Sequence, residues 1–144
     1  MAFPLTDEQR AVVENRGGSL LVSAAAGSGK TRVLVERLLH YVEDGENIDA
    51  FPVITYTRAA AAELRTRIGK ELAQRVAEQP GNVHLRRQMT RLYQADICTI
   101  HALCGKLLRE FGHQLDLNPD FRLCTEDEAA VLRMRALNDV LDQR

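Results

Sequence analysis

The chain has 144 residues, 45% of them hydrophobic and 27% charged, with a formal net charge of −1. That length and balance describe one folded domain with a sizeable core and exclude a disordered or low-complexity chain. No apolar run approaches the roughly 18 residues of a membrane span, and MAFPLTDEQ lacks the basic and apolar regions of a signal peptide, so a cytoplasmic protein without membrane contact is expected. Cys98, Cys104 and Cys124 form an odd, scattered set with no CxxC, which argues against a zinc site or a redox pair.

Taken in chain order, Leu5 to Asn15 reads as a short helix. Thr6 and Gln9 have capping-box spacing, Asp7 and Glu8 suit a first turn, and Gly17 and Gly18 end the segment. Ser19 to Ser23 (SLLVS) has no alternation and predicts a short strand covered on both faces. The helix from Gly29 to about Glu43 places Val33, Leu34, Arg37, Leu38 and Val42 at a helical period. A polar loop follows, and a second strand is expected over Phe51 to Thr57, starting after Pro52.

Arg58 to Glu78 predicts a long helix with a basic outer face, broken by Pro80 and Gly81. His84 to Gln94 is another basic helix, Ile97 to Thr99 a very short third strand, and Ile100 to Gln114 a helix. A loop containing Pro119 leads to a last helix over Thr125 to Leu141. Strands alternating with helices predict an α/β fold with a parallel sheet in three layers.

The eight residues Ala24 to Thr31, AAAGSGKT, carry the strongest chemical signal. A phosphate-binding loop turns successive backbone N–H groups onto phosphate oxygens at a helix N-terminus. Gly27 and Gly29 give the turn its conformational freedom, and Ala26 and Ser28 complete the cradle. Lys30 is placed to reach the β/γ phosphates and the Thr31 hydroxyl to ligate Mg²⁺. Ala24 replaces the glycine that usually opens the pattern; it lies at the strand exit, where a methyl group fits if φ is negative.

Charge is unevenly spread. Residues 1–57 carry 5 basic and 8 acidic side chains, residues 58–109 carry 10 and 4, and residues 110–144 carry 4 and 8. A basic middle between acidic flanks fits either a polyanion on one face or simply solvated helix faces. The strand ends Thr55-Tyr56-Thr57 and Thr99 lie at the edge where parallel sheets bind ligands. Thr57 and Thr99 also read as helix N-caps.

Taken together and in order, LTDEQRAVV, AAAGSGKTR, TYTRAAAAEL and TIHALC resemble the Q motif and motifs I, Ia and Ib of superfamily 1 helicases of the UvrD/Rep type. VSAAAGSGKT, VLVERLL, PGNVHLRRQ and LDLNPDFRLCTEDEA are most similar to the AddA subunits of bacterial AddAB helicase–nucleases, a RecB-like branch. The likeness runs from about Leu5 to Gln143.

The resemblance implies a partial RecA-like P-loop domain: residues 1–104 as part of helicase domain 1A, and 105–144 as the helical start of domain 1B. It implies that Gln9 reads adenine, that Lys30 and Thr31 hold ATP phosphate and Mg²⁺, and that Arg32 lies close to the nucleotide. It further implies contact of Thr55, Tyr56, Thr57 and Arg58 with single-stranded DNA, Tyr56 stacking on a base, and contact of Thr99 and His101 with the backbone. Tyr56 stands where phenylalanine is usual, Arg58 where asparagine is common and Ala59 where many relatives have lysine.

The implied parent activity is ATP-driven 3′–5′ translocation on DNA by a helicase–exonuclease with an AddB-like partner, acting on double-stranded breaks in repair and recombination. The carboxylates and arginines that hydrolysis requires have no counterpart in the sequence. LCTEDEAA is no substitute, because Thr125 and Glu128 form a capping box. The chain therefore reads as an N-terminal fragment that binds nucleotide weakly, does not unwind DNA and self-associates through uncovered sheet edges. Two alternatives stay open: a Rep/UvrD-type helicase without nuclease, and a short non-hydrolysing nucleotide- or DNA-binding module.

Overall fold

The computed structural model describes residues 4–118 and 120–142. Among the described residues the fold is α/β, with six α-helices and a parallel sheet of two short strands. The chain divides into two compact units, residues 1–103 and 104–144.

The first unit opens with α1 (Asp7–Glu14). Its capping box is complete: the Thr6 hydroxyl accepts from the Gln9 N–H at 3.3 Å, and the Gln9 side-chain oxygen accepts from the Thr6 N–H at 3.1 Å. Both orphan donors are thereby satisfied. Helix α2 (Lys30–Glu43) packs against α1, with Val13 and Val33 buried. Arg16 and Arg37 tie the two helices together. Arg16 donates to the Val13 carbonyl at 2.7 Å and to Asp44 at 2.8 Å, and Arg37 donates to the Val12 carbonyl. Both guanidinium groups lie over the Tyr41 ring, 4.5 and 5.3 Å from its centroid.

Strand β1 (Val53–Thr55) pairs in parallel with β2 (Ile97–Thr99), Val53 against Ile97 and Thr55 against Thr99. Helix α3 (Arg58–Glu78) lies against both strands and against α2 and α4 (Val83–Arg91). Leu64, Ile68 and Leu72 give α3 one apolar face, which meets Leu38, Leu39 and Val42 of α2, Leu85 of α4 and Ile48 of the connecting turn in one core. Gln88 is fully buried there and satisfied: its oxygen accepts from the Ile48 N–H at 3.0 Å and its nitrogen donates to Asn47 at 3.0 Å.

Three expectations need correction. Ser19 to Ser23 forms no strand: all five residues are exposed, Leu21 at 94%, and among the described residues β1 pairs only with β2, giving a sheet of two strands rather than three. An apolar run marks a segment that favours burial, but a strand exists only where another backbone lies alongside to complete the ladder, and none does so here. The basic outer face of α3 is also reduced. Arg65 turns inward and donates to the carbonyls of Leu92, Ala95 (2.9 Å) and Ile97, while Arg75 reaches Glu36 at 2.6 Å and Glu43 at 2.8 Å. Finally, the helix expected to reach Gln114 ends earlier. Helix α5 (Ile100–Phe111) passes into a 3₁₀ turn, Gly112–Leu115, where a side chain at Gly112 would stand 3.3 Å from Leu117.

The unit of residues 104–144 ends in α6 (Glu126–Asp142). Its capping box is reciprocal, with the Thr125 N–H donating to Glu128 at 2.8 Å and the Glu128 N–H to the Thr125 hydroxyl at 3.3 Å. Arg122 adds two bonds to the same carboxylate, at 2.8 and 2.5 Å. The guanidinium first, and the Thr125 N–H second, hold the Glu128 carboxyl at about 2, well below its ordinary 4.5. A lowered carboxylate pKa stabilises the fold fully above about 4.5 and ceases to do so as pH falls through about 2. In an NMR titration of the side-chain carboxyls, Arg122→Ala is expected to return Glu128 towards the ordinary range. An unchanged titration would show that Arg122 does not set it.

Candidate nucleotide-binding site

The segment between the exposed run at 19–23 and α2 is a tight turn. The Ser28 N–H donates to the Ala25 carbonyl at 3.3 Å. Gly27 has φ +79° and Gly29 φ +86°, a region that side chains disfavour, so both glycines are required by the backbone itself. Gly29 is the N-cap of α2 and caps through no side chain, which leaves the first N–H groups of the helix directed outward at the loop. Lys30 and Thr31 open that helix, and Arg32 sits half-buried in its first turn.

The Lys30 ammonium is drawn across the turn onto the carbonyls of Ala24 at 2.7 Å and Ala25 at 2.6 Å. A cation fixed over a turn rich in N–H donors, at a helix N-terminus, is the arrangement that holds phosphate. Gln9 closes one side. While its oxygen caps α1, its side-chain nitrogen donates to the Ser28 carbonyl at 3.1 Å, and a side chain at Gly29 would meet that nitrogen at 3.4 Å. Capping and loop contact thus use different ends of one amide.

Beside the loop lies a cleft of about 450 Å³, lined by Thr6, Glu8, Gln9 and Val12 of the α1 side, by Leu21, Val22 and Val33, and by Ser28 and Lys30. Its size and mixed lining suit a ligand with an apolar ring and a charged tail. Sequence reasoning missed Glu8, Val12, Leu21, Val22 and Val33 as cleft walls. The only local signals were the spacing of Val12 three residues after Gln9 and of Glu8 four residues before Val12.

Thr31 offers one hydroxyl oxygen at the head of α2, and no group of three or more His, Cys, Asp or Glu able to hold a metal occurs among the described residues. That donor set fits Mg²⁺ only in the manner usual for nucleotide sites, with one protein oxygen and the phosphates completing the shell.

The second group of sequence-selected residues gathers at the C-terminal ends of β1 and β2. Thr55 faces Thr99 across the ladder. The Thr55 hydroxyl donates to the Thr57 carbonyl at 3.0 Å, the Thr57 hydroxyl caps α3 by accepting from the Ala60 N–H at 3.1 Å, and the Thr99 hydroxyl accepts from the Ala102 N–H at 3.3 Å. Three threonines are therefore engaged locally. Tyr56 stands fully exposed between them, with Arg58 and His101 also exposed.

A glycine turn joined through Gln9 to a capped α1, beside a parallel α/β sheet, is the arrangement of a P-loop fold. Residues 5–144 match the model of the UvrD/REP helicase N-terminal domain, and the chain belongs to that family. It is 44% identical over 142 residues to an ATP-dependent helicase/nuclease subunit from Lachnoclostridium phytofermentans, covering 96% of this chain and 10% of that protein. The ATP-dependent helicase/nuclease proteins of the same name from Desulforamulus reducens (44%) and Geobacillus thermodenitrificans (43%) are similar over 96% of this chain and 11% of their own length. The chain thus spans about a tenth of the relatives it matches. Among the described residues no helix is long and apolar enough to cross a membrane.

Proposed function

We propose that the chain is the ATP-binding part of a cytoplasmic helicase–nuclease that works with a partner subunit on DNA breaks in repair and recombination. Residues 1–104 belong to domain 1A and residues 105–144 begin domain 1B. The observation that carries this reading is the Lys30 ammonium fixed over a turn with two left-handed glycines and bounded by Gln9. The loop N–H groups from Ala26 to Thr31 and the Lys30 ammonium take the phosphates, Arg32 flanks them, and Gln9 presents its amide to the base. The Thr31 hydroxyl would hold Mg²⁺, which when bound would supply neutralising charge at the phosphate oxygens. The similarity to proteins named helicase/nuclease favours this over a helicase without nuclease partners.

Thr55, Tyr56, Thr57, Arg58, Thr99 and His101 form the single-strand contact. Thr55 spends its O–H on the Thr57 carbonyl, and the fully exposed Tyr56 ring carries the base contact at this edge. Stacking on an aromatic is worth about 1–3 kcal/mol per base. Tyr56→Ala is therefore expected to weaken binding of single-stranded DNA by roughly five- to a hundredfold while leaving ATP affinity unchanged. Anisotropy with a labelled oligonucleotide and calorimetry with ATP measure the two separately. ATP affinity at the level of buffer alone would overturn the nucleotide reading, and unaltered DNA affinity would remove Tyr56 from the contact.

A further inference from the structure

The basic middle of the chain resolves into cations with internal work and cations without it. Arg65 and Arg75 are turned inward, Arg67 pairs with Glu63 and Arg91 with Asp49. Arg86 and Arg87 are different: both are exposed on α4, and among the described residues no ion pair engages either. They share the outer face of the helix with Val83, Thr90 and, in the turn just beyond it, Tyr93, while Leu85, Gln88 and Leu92 face the core. Tyr93 is 85% exposed, yet its backbone is fixed, its N–H donating to the Thr90 carbonyl at 3.3 Å and the next N–H to Arg91 at 2.9 Å.

We propose that this face of α4 is a second contact site for single-stranded nucleic acid, with Arg86 and Arg87 on phosphates and Tyr93 stacked on a base. The site is separate from the sheet-edge residues around Tyr56. Helix α4 leads into the N-terminal end of β2, whereas Thr99 and His101 lie at and beyond its C-terminal end. The proposal therefore does not depend on the sheet-edge reading. The alternation along the face selects the ligand. Val83 and Tyr93 are about 15 Å apart along the helix direction with the exposed Arg86 and Arg87 between them in sequence, so this face of α4 offers no continuous apolar stripe to a protein partner. A strand that alternates phosphate with unpaired base matches ring and cations in turn.

The test uses the 144-residue chain and a labelled oligothymidylate, read by anisotropy over a range of salt. Tyr93→Ala is expected to weaken binding by roughly five- to a hundredfold. The double variant Arg86→Gln/Arg87→Gln is expected to reduce the slope of log affinity against log salt by about 1.4, two phosphate contacts at about 0.7 each. Photo-crosslinking to bromodeoxyuridine is expected to mark Tyr93 in the Tyr56→Ala background as well as in the unaltered chain. All three changes lie on exposed side chains, and circular dichroism verifies that the fold is kept. Unchanged affinity and salt slope in the α4 variants overturn the proposal, as does equal preference for duplex. Displacement of the DNA by oligoglutamate together with indifference to Tyr93→Ala also overturns it, and would assign the face to an acidic protein segment.

Discussion

Lys30→Ala is expected to lower the ATP affinity of the chain roughly ten- to a hundredfold, the loss that follows when a hydrogen bond to a charged group, about 1.5–3 kcal/mol, is removed. The ammonium sits over the loop, within 2.7 Å of two loop carbonyls, so it is already in position to transfer to phosphate oxygens without a large reordering cost. The side chain is exposed, so the folding midpoint should move little. Calorimetric titration with ATP, paired with thermal melting, separates the two effects. Equal affinity in the variant would remove Lys30 from the phosphate role, and a large loss of stability would show that its bonds to Ala24 and Ala25 serve the fold instead.

Leu72→Ala is expected to cost about 2–5 kcal/mol of folding stability, the range for deleting a fully buried leucine with partial collapse of the cavity. Leu72 lies late in α3 with no exposed surface, in the cluster that also holds Leu39, Val42, Ile48 and Leu85. That is a large share of the roughly 5–15 kcal/mol typical of whole domains. Urea unfolding followed by circular dichroism measures it. Leu21→Ala, at a residue 94% exposed, should change the folding stability by no more than about 0.5 kcal/mol. A change below about 1 kcal/mol for Leu72→Ala would mean that α3 is not the centre of the core.

Most helix boundaries were legible because their determinants are local. Thr6 with Gln9, Thr57 before α3 and Thr125 with Glu128 each cap within three residues, and each does so in the structure. Pro52 set the start of β1 to within a residue, and Ile97–Thr99 matched its strand. The turn before α2 was legible for a similar reason: Gly27 and Gly29 occupy left-handed conformations that few other residues enter. The misreading at Ser19 to Ser23 had the opposite origin. Leu20, Leu21 and Val22 are strongly apolar, but a strand depends on a neighbouring backbone, and that neighbour is not encoded in the five residues themselves.

The sequence by itself determined the caps, the glycine-dependent turn and the order of the α-helices, because those depend on steric limits and hydrogen bonds spanning at most a helical turn. Tertiary structure alone decided which arginines were consumed. Arg65 and Arg75 find partners 27 to 39 residues away, while Arg86 and Arg87, alike in sequence, stay outside. It also gave Gln9 its second bond, to a carbonyl 19 residues on, which joins the cap of α1 to the glycine turn before α2. Contacts at that separation are fixed by how the helices pack around one core, and no local pattern carries that information.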